Sequence, residues 1–401
     1  MLYIAIPVLN EQESLPVLMA CIRSQTIPDF RLYICVNQPE EWWNDPQKAV
    51  ICENNRRSME YLQSLHDPRL IIVDKSSQGL GWSGRKHGVG WARKTLMDLV
   101  SENAAGEDIL LSLDADTTFS PRYFESVLKS FALNPDAVAL AVPYLHLPVK
   151  DPLACRAILR YEIYMRYYSV NLWRTGTPYT FTALGSAMAC PVKAYRAIGG
   201  MTPKMSGEDF YFLQKLRKYG RMLFSNSEKV YPAARFSDRV YFGTGPAMIK
   251  GNAGDWSSYP IYPSRFFDEI SETIAFFPEF YLKTRSTPVT EFLKTQFREE
   301  DPFQPLRENA RDPLQFVRAC HEKFDGLRIL QYLKMRNSEV TTTDEENLTA
   351  FLEHFYADEK EDWKTGSDIF SFTDSPLDTL EKIRMFLVKK EEELQLTTRP
   401  L

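Results

Sequence analysis

Two aspartates one residue apart, Asp114 and Asp116, close the stretch Ile109-Leu-Leu-Ser-Leu-Asp-Ala-Asp-Thr117. The apolar run before them reads as a buried strand. In an open α/β sheet, the edge just beyond the C-terminal ends of the strands is where ligands bind. Residues i and i+2 of an extended segment point to the same side, so the spacing predicts that both carboxylates reach one divalent cation. Hard cations such as Mg²⁺ or Mn²⁺ take oxygen ligands, commonly one or two carboxylates plus substrate phosphates. An isolated Asp-x-Asp also serves as a polar turn, with Asp116 or Thr117 as a cap, so the rest of the chain has to decide.

Four other segments carry groups that could complete such a site. Asn10 and Glu11 follow the first apolar run, Leu2 to Val8, at the same expected edge; Asn10 with Glu13 equally fits a helix capping box. Arg85 and Lys86 lie in a glycine-rich stretch, Gly79 to Gly90, that runs into a helix. Amides at a helix start together with two cations make a diphosphate cradle, and the same residues also make a solvated basic face. Glu208 and Asp209 open a helix, where acids are ordinarily favoured; a carboxylate placed there could also deprotonate a hydroxyl within hydrogen-bond reach. Arg235, Asp238 and Arg239 precede Gly243-Thr-Gly245: either arginine could contact phosphate and Asp238 could complete a metal site, or the three form an internal ion pair.

These residues need a scaffold, and the periodicity supplies one. Strands are expected at Leu2–Val8, Arg31–Val36, Leu70–Val73, Ile109–Leu113, Ala137–Pro143 and Thr182–Pro191. Helices are expected at Leu15–Arg23, Gln47–Leu65, from the glycine-rich stretch to about Ser101, at Pro121–Leu133, and from Gly207 to Tyr219. Such alternation implies an α/β domain with a mostly parallel central sheet and flanking helices. Beyond about Ser264 only helices read, two of them well marked. One carries Leu348, Phe351, Leu352 and Phe355 behind Thr343-Asp344; the other carries Leu377, Leu380, Ile383 and Leu387 behind Ser375-Pro376. The expected organisation is therefore an α/β domain over 1–260 and a helical domain over 261–401. The aromatic run from Tyr161 to Trp173 reads as packing, with an acceptor-binding wall as the functional alternative.

The 401 residues are 44% hydrophobic and 25% charged, as in a soluble globular protein. The net charge of −5 is uneven. Fifteen acidic and seven basic residues from Thr341 to Leu401 give −8, which leaves the body at +3. An acidic tail argues against nucleic acid as a partner, and a mildly basic body suits a small anionic substrate. Six cysteines without regular spacing indicate a reducing compartment. The first strand begins almost at Met1, so no signal peptide is expected. The longest apolar stretch, Ala137 to Val149, is broken by Pro143 and Pro148 and cannot span a bilayer. A cytoplasmic protein is expected, with peripheral membrane contact left open.

In order along the first 250 residues, these segments resemble the family-two glycosyltransferases of the GT-A fold. Ile6-Pro-Val-Leu-Asn10-Glu11-Gln-Glu13 with Leu15 resembles the family's opening segment, and Ile22-Arg-Ser-Gln-Thr26 the end of its first helix. Gly84-Arg85-Lys86-His87-Gly88 resembles its "A-R-N-x-G", Asp114-Ala115-Asp116 its metal motif, and Gly199-Gly200 followed by Gly207-Glu208-Asp209 its acceptor segment. The resemblance implies transfer of a sugar from a UDP or GDP donor to a glycan or lipid-linked acceptor, in glycan or cell-envelope biosynthesis. It implies a divalent cation (Mn or Mg) at Asp116 and Asp114, and Asp209 as the base, with Glu208 beside it. It implies donor contacts from Pro7, Val8, Asn10, Glu11, Asn37, Arg85, Lys86, Asp114, Ala115, Asp116, Arg235 and Arg239. Asn37 stands where the family often has an acid, which leaves the base unidentified, and Lys86 replaces an asparagine. Inversion and single-residue transfer are expected, because no enzymic nucleophile is evident and the processive "Q-x-x-R-W" signature is incomplete at Gln214-Lys-Leu-Arg217-Lys218. A nucleotidyltransferase would open with a glycine-rich basic loop, which Pro7–Glu11 is not. A non-catalytic sugar-nucleotide-binding or scaffold protein, with a partner-binding helical C-terminus, is the alternative. The oligomeric state is not specified.

Overall fold

The computed structural model describes residues 1–224, 226–236, 243–364 and 370–397. The chain forms two compact units, both discontinuous in sequence: residues 1–154 and 181–253 make one, residues 155–180 and 254–401 the other. A division into consecutive segments at 260/261 does not express that insertion.

The first unit is built on strands β1 (Leu2–Val8), β2 (Phe30–Asn37), β3 (Leu70–Lys75), β4 (Ile109–Ser112), β5 (Thr118–Phe119), β6 (Ala139–Ala141), β7 (Met188–Pro191), β8 (Met222–Leu223) and β9 (Val230–Tyr231). Seven of them form one sheet in the order β3-β2-β1-β4-β7-β6-β8, and β5 pairs with β9. In the seven-stranded sheet the pairs β1–β2, β2–β3, β1–β4 and β6–β8 are parallel and β7 runs against its neighbours; β5 and β9 are antiparallel. This is the mostly parallel sheet with flanking helices that the alternation predicts. Its central strands are uninterrupted apolar runs because both faces are covered: Ile4, Ala5, Ile6, Leu111, Ile34 and Val36 are all fully buried.

In chain order the helices are α1 (Leu15–Arg23), α2 (Ala49–Ser64), α3 (Val89–Asn103), α4 (Tyr123–Leu133), α5 (Pro152–Arg174), α6 (Val192–Ala197), α7 (Glu208–Tyr219) and α8 (Thr244–Asn252). The start of α3 makes a close approach. A methyl group on Gly90 would stand 2.1 Å from the Lys204 carbonyl oxygen. The segment before α7 can lie against α3 only because that position has no side chain.

The second unit consists of most of α5 together with helices from α9 (Ser264–Ala275) through α10 (Phe277–Phe280), α11 (Pro288–Phe297), α12 (Gln304–Asn309), α13 (Pro313–Lys323), α14 (Gly326–Asn337), α15 (Asp344–Phe355), α16 (Lys360–Trp363) and α17 (Leu377–Thr397). Thr343 and Glu346 form a reciprocal capping box at α15, as the Thr343-Asp344 start predicts. The aromatic run is core: Tyr161, Tyr167 and Trp173 are buried, and Tyr167 meets Phe351 edge-on at 4.9 Å. Among the buried charges of α5, Glu162 accepts from Arg166 and from Arg384 of α17, both at 2.9 Å, and Arg166 donates to Glu391 at 2.6 Å. Among the described residues, no helix is long and apolar enough to cross a membrane.

The Gly90 contact is open to test. Gly90→Ala should cost about 1–3 kcal/mol, the range of overpacking in a filled interior. The loss would appear as a lower urea midpoint at unchanged slope. An unaltered midpoint would mean that the 204 segment moves aside freely.

Candidate functional site

The site is laid out by the carboxyl ends of β1 and β4, which are adjacent and parallel. Pairing with β1 continues one residue past β4, where the Leu113 amide donates to the Ala5 carbonyl at 3.1 Å. The chain then turns, and the Thr117 amide donates to the Asp114 carbonyl at 3.2 Å. Asp114 to Thr117 is therefore a turn and not an extended segment. The extended geometry expected for the two carboxylates is replaced by a turn, and each accepts from a different guanidinium.

Asp114 Oδ1 accepts from Arg93 Nη2 at 2.8 Å. Arg93 projects from α3 and its side chain is 2% exposed. Its Nη1 donates to the Ser112 hydroxyl and, at 2.8 Å, to the Gly185 carbonyl; its Nε reaches Glu208 Oε1 at 3.3 Å. Gly185 is shaped by this contact, since a methyl group there would stand 2.2 Å from Arg93 Nη2 and 3.2 Å from Asp114 Oδ2. Burial opposes the charge on Arg93, but Asp114 and Glu208 outweigh it and hold the guanidinium protonated.

Asp116 Oδ2 accepts from Arg235 Nη2 at 2.8 Å, and the same guanidinium nitrogen reaches Glu11 Oε1. Glu11 is buried, and its other oxygen accepts from Ser14 Oγ at 2.7 Å. Ser14, not Asn10, is the N-cap residue of α1, so the capping-box alternative for Asn10 and Glu13 does not hold. Asn10 adopts φ 57° and donates its amide to Asn55 Oδ1 at 2.8 Å, which fixes the turn that presents Glu11.

Glu208 and Asp209 begin α7. Glu208 is buried, and burial raises its carboxyl pKa against the pull of Arg93. Asp209 is half-buried and accepts from the Phe210 amide at 2.8 Å. Burial first, and then the charge on Glu208, pushes its pKa up to about 7, outweighing the lowering by Arg93 and the helix-start amide. Desolvation thus offsets the helix N-terminus, as a base in this place requires.

The other expected residues are placed as follows. Pro7 and Val8 are buried in β1, and the Val8 carbonyl accepts from Asn37 Nδ2 at 2.9 Å. Asn37 is itself buried and accepts from Trp82 Nε1 at 3.2 Å. Its amide thus bonds within the protein at both ends and fixes Trp82 and β1. Arg85 and Lys86 are exposed and make no hydrogen bond or ion pair with the acidic cluster; Lys86 Nζ lies 5.8 Å from the centre of the Trp91 ring. Ala115, Asp116, Thr117 and Thr118 face Glu13, Ser14, Val17 and Leu18 across a hollow of about 230 Å³. Asp238 and Arg239 lie outside the described residues.

The residues suit a hard cation in kind. Asp116 and Glu11 offer carboxylate oxygens, and they already hold one cation, the Arg235 guanidinium, which serves as a stand-in ion. Asp114 is committed to Arg93 on one oxygen. Among the described residues, no group of three or more His, Cys, Asp or Glu side chains is placed to enclose a metal.

Sequence reasoning missed Arg93, Ser112 and Gly185. Arg93 was findable, because it falls three, four and seven residues before Leu96, Met97 and Val100 on the buried face of α3. A cation on an apolar stripe must have a partner.

No family model matches the chain, and no curated protein matches it. Among solved structures it is similar to TarS 1–349 of S. aureus in complex with UDP-GlcNAc, at 11% identity over 98% of this chain and 92% of that one, with a TM-score of 0.42. It is also similar to the mannosyltransferase PcManGT of Pyrobaculum calidifontis in complex with GDP-Man and Mn²⁺, at 14% identity over 99% of this chain and 87% of that one, with a TM-score of 0.38. At these identities and scores the likenesses transfer neither ligand nor activity.

The Arg93 bridge makes its own prediction. Arg93→Met keeps the stem but leaves Glu208 buried without its cation, which should cost about 3–5 kcal/mol. Chemical denaturation would measure it. The double variant Arg93→Met/Glu208→Gln should recover part of the loss, and failure to recover any would place the energetic role of Arg93 elsewhere.

Proposed function

We propose that the first unit is a GT-A glycosyltransferase. It transfers a single sugar from a UDP or GDP donor to a hydroxyl of a glycan or lipid-linked acceptor, with inversion. The observation that carries this reading is the joining of distant acidic segments at one sheet edge by two arginines: Arg93 links Asp114 to Glu208, and Arg235 links Asp116 to Glu11. Donor-side carboxylates and a carboxylate pair suited to an acceptor thereby share one region, as a displacement at an anomeric carbon needs.

In this mechanism Asp209 removes the acceptor hydroxyl proton. A pKa near neutrality makes it a stronger base than an ordinary aspartate while leaving about half of it ionised near pH 7. Arg93 holds Asp114 and Glu208 in place, so the sugar side and the base side stay in fixed register. Arg235 offers a guanidinium to the diphosphate, and guanidinium groups suit such oxygens bidentately. A divalent cation held at Asp116 would supply Lewis-acid neutralisation of the departing nucleotide diphosphate. Asp209 as the base, Asp116 as the metal ligand and inversion are parts of this proposal.

Thermal-shift and calorimetric titration with UDP, GDP and their sugar conjugates, with and without Mn²⁺, tests the donor site. Binding to the native state must raise apparent stability. One nucleotide should stabilise the protein in a metal-dependent way, and Asp116→Ala should abolish the effect. No response to any nucleotide would favour the non-catalytic scaffold reading.

The base assignment predicts a pH profile. Asp209 is protonated below about 7, so kcat/KM should climb as pH rises through that value and level off above it. Asp209→Asn should lose this limb and at least about 100-fold of turnover; full turnover would overturn the assignment. The same shift acts on stability with the opposite sense. The native state holds this proton more tightly than the unfolded chain does. Its contribution is therefore full below the ordinary carboxylate value of about 4 and is lost as pH rises toward about 7. Asp209→Asn should accordingly melt a few degrees higher than the parent at pH 8 and show little difference at pH 4.

A further inference from the structure

The cation that meets Asp116 belongs to the chain itself. Arg235 lies in the stretch 232–236 after β9, which has no regular structure, whereas Glu11 and Asp116 lie just beyond the ends of β1 and β4. Its Nη2 donates to both carboxylates, and its Nε is buried without a hydrogen-bond partner. The Arg235 side chain is 35% exposed, against 6% for Glu11 and 18% for Asp116. A partly exposed arm therefore neutralises two sheltered acids.

We infer that Arg235 is a tethered counter-ion that competes with a divalent cation for Asp116, and that a nucleoside diphosphate resolves the competition. A guanidinium and a divalent ion on one carboxylate repel each other. A metal arriving alone must displace Arg235 and leave its charge beside the ion. A metal arriving with a diphosphate brings anionic oxygens for both: the ion keeps Asp116, and the guanidinium, including its unused Nε, turns to phosphate. The site would then hold metal weakly when no donor is present and tightly when one is. The diphosphate half of this inference rests on the glycosyltransferase reading; the competition half does not.

The test uses the full chain and Mn²⁺ as the probe, with free Mn²⁺ followed by electron paramagnetic resonance. Without nucleotide, Arg235→Gln should bind Mn²⁺ at least about tenfold more tightly than the parent, the scale of one removed like-charge contact at a partly exposed site. Arg235→Lys, which keeps a cation, should stay close to the parent, and Asp116→Ala should remove the site. Adding UDP or GDP should tighten Mn²⁺ binding in the parent far more than in Arg235→Gln, which has lost the phosphate partner. Equal or weaker Mn²⁺ binding by Arg235→Gln without nucleotide, or no binding by either protein, would overturn the counter-ion role. If Arg235→Gln binds Mn²⁺ more tightly but neither nucleotide changes any affinity, the counter-ion role stands and the donor reading fails.

Discussion

A single buried guanidinium, that of Arg93, lies between carboxylates contributed from beyond β4 and from the start of α7. Glu208 is almost wholly removed from water, and a carboxylate there without a cation would either take up a proton or destabilise the fold. The same guanidinium fixes the first aspartate of the turn after β4 and is seated by the Ser112 hydroxyl and the Gly185 carbonyl. One residue of α3 thus satisfies groups from β4, the turn beyond it, the approach to β7 and α7, and the spacing of the candidate site follows from it. Arginine suits this role better than lysine, because its planar fork supplies several donors in fixed directions and stays charged when buried.

The second guanidinium, Arg235, is different in kind. It reaches its two acids from a connection and not from a helix, and it is more exposed than either. One arginine is therefore built into the scaffold while the other is laid over it. That contrast between a fixed and an exchangeable counter-charge is what the site's chemistry draws on.

Much of this unit was legible in the sequence because covered parallel strands are unbroken apolar runs, and β1, β2, β3 and β4 fall where those runs are. The acidic segments were legible by their place after strands and at a helix start. Their partners were not. Arg93 was passed over because an arginine is by default a surface residue, although its spacing to Leu96, Met97 and Val100 put it on the buried face. The turn at Asp114–Thr117 could not be seen, since one backbone hydrogen bond, and no residue type, ends the extended run there. Sequence does not reveal that Asn37 bonds Val8 and Trp82 through the two ends of its amide. The two-residue strands β8 and β9 exist only through their pairing and leave no periodic trace. Helix α5 was masked by its own interior charges, since Arg160, Glu162 and Arg166 interrupt the apolar stripe that ordinarily marks a buried helix.

Those interior charges bear on how the protein can be made. Helix α5 leaves the ribosome in the middle of the first unit, while Arg384 and Glu391, which complete its ionic ladder, are synthesised more than 200 residues later. At typical synthesis rates of 5–20 residues per second, Glu162 and Arg166 wait on the order of ten seconds or longer for their remaining partners. During that interval the nascent chain carries a long helix whose finished environment does not yet exist. A chain ending after residue 253 would hold this state permanently. A domain appended to the end of an enzyme carries no such burden; here a segment of the second unit is encoded within the sequence of the first, which binds the completion of α5's surroundings to synthesis of the whole polypeptide.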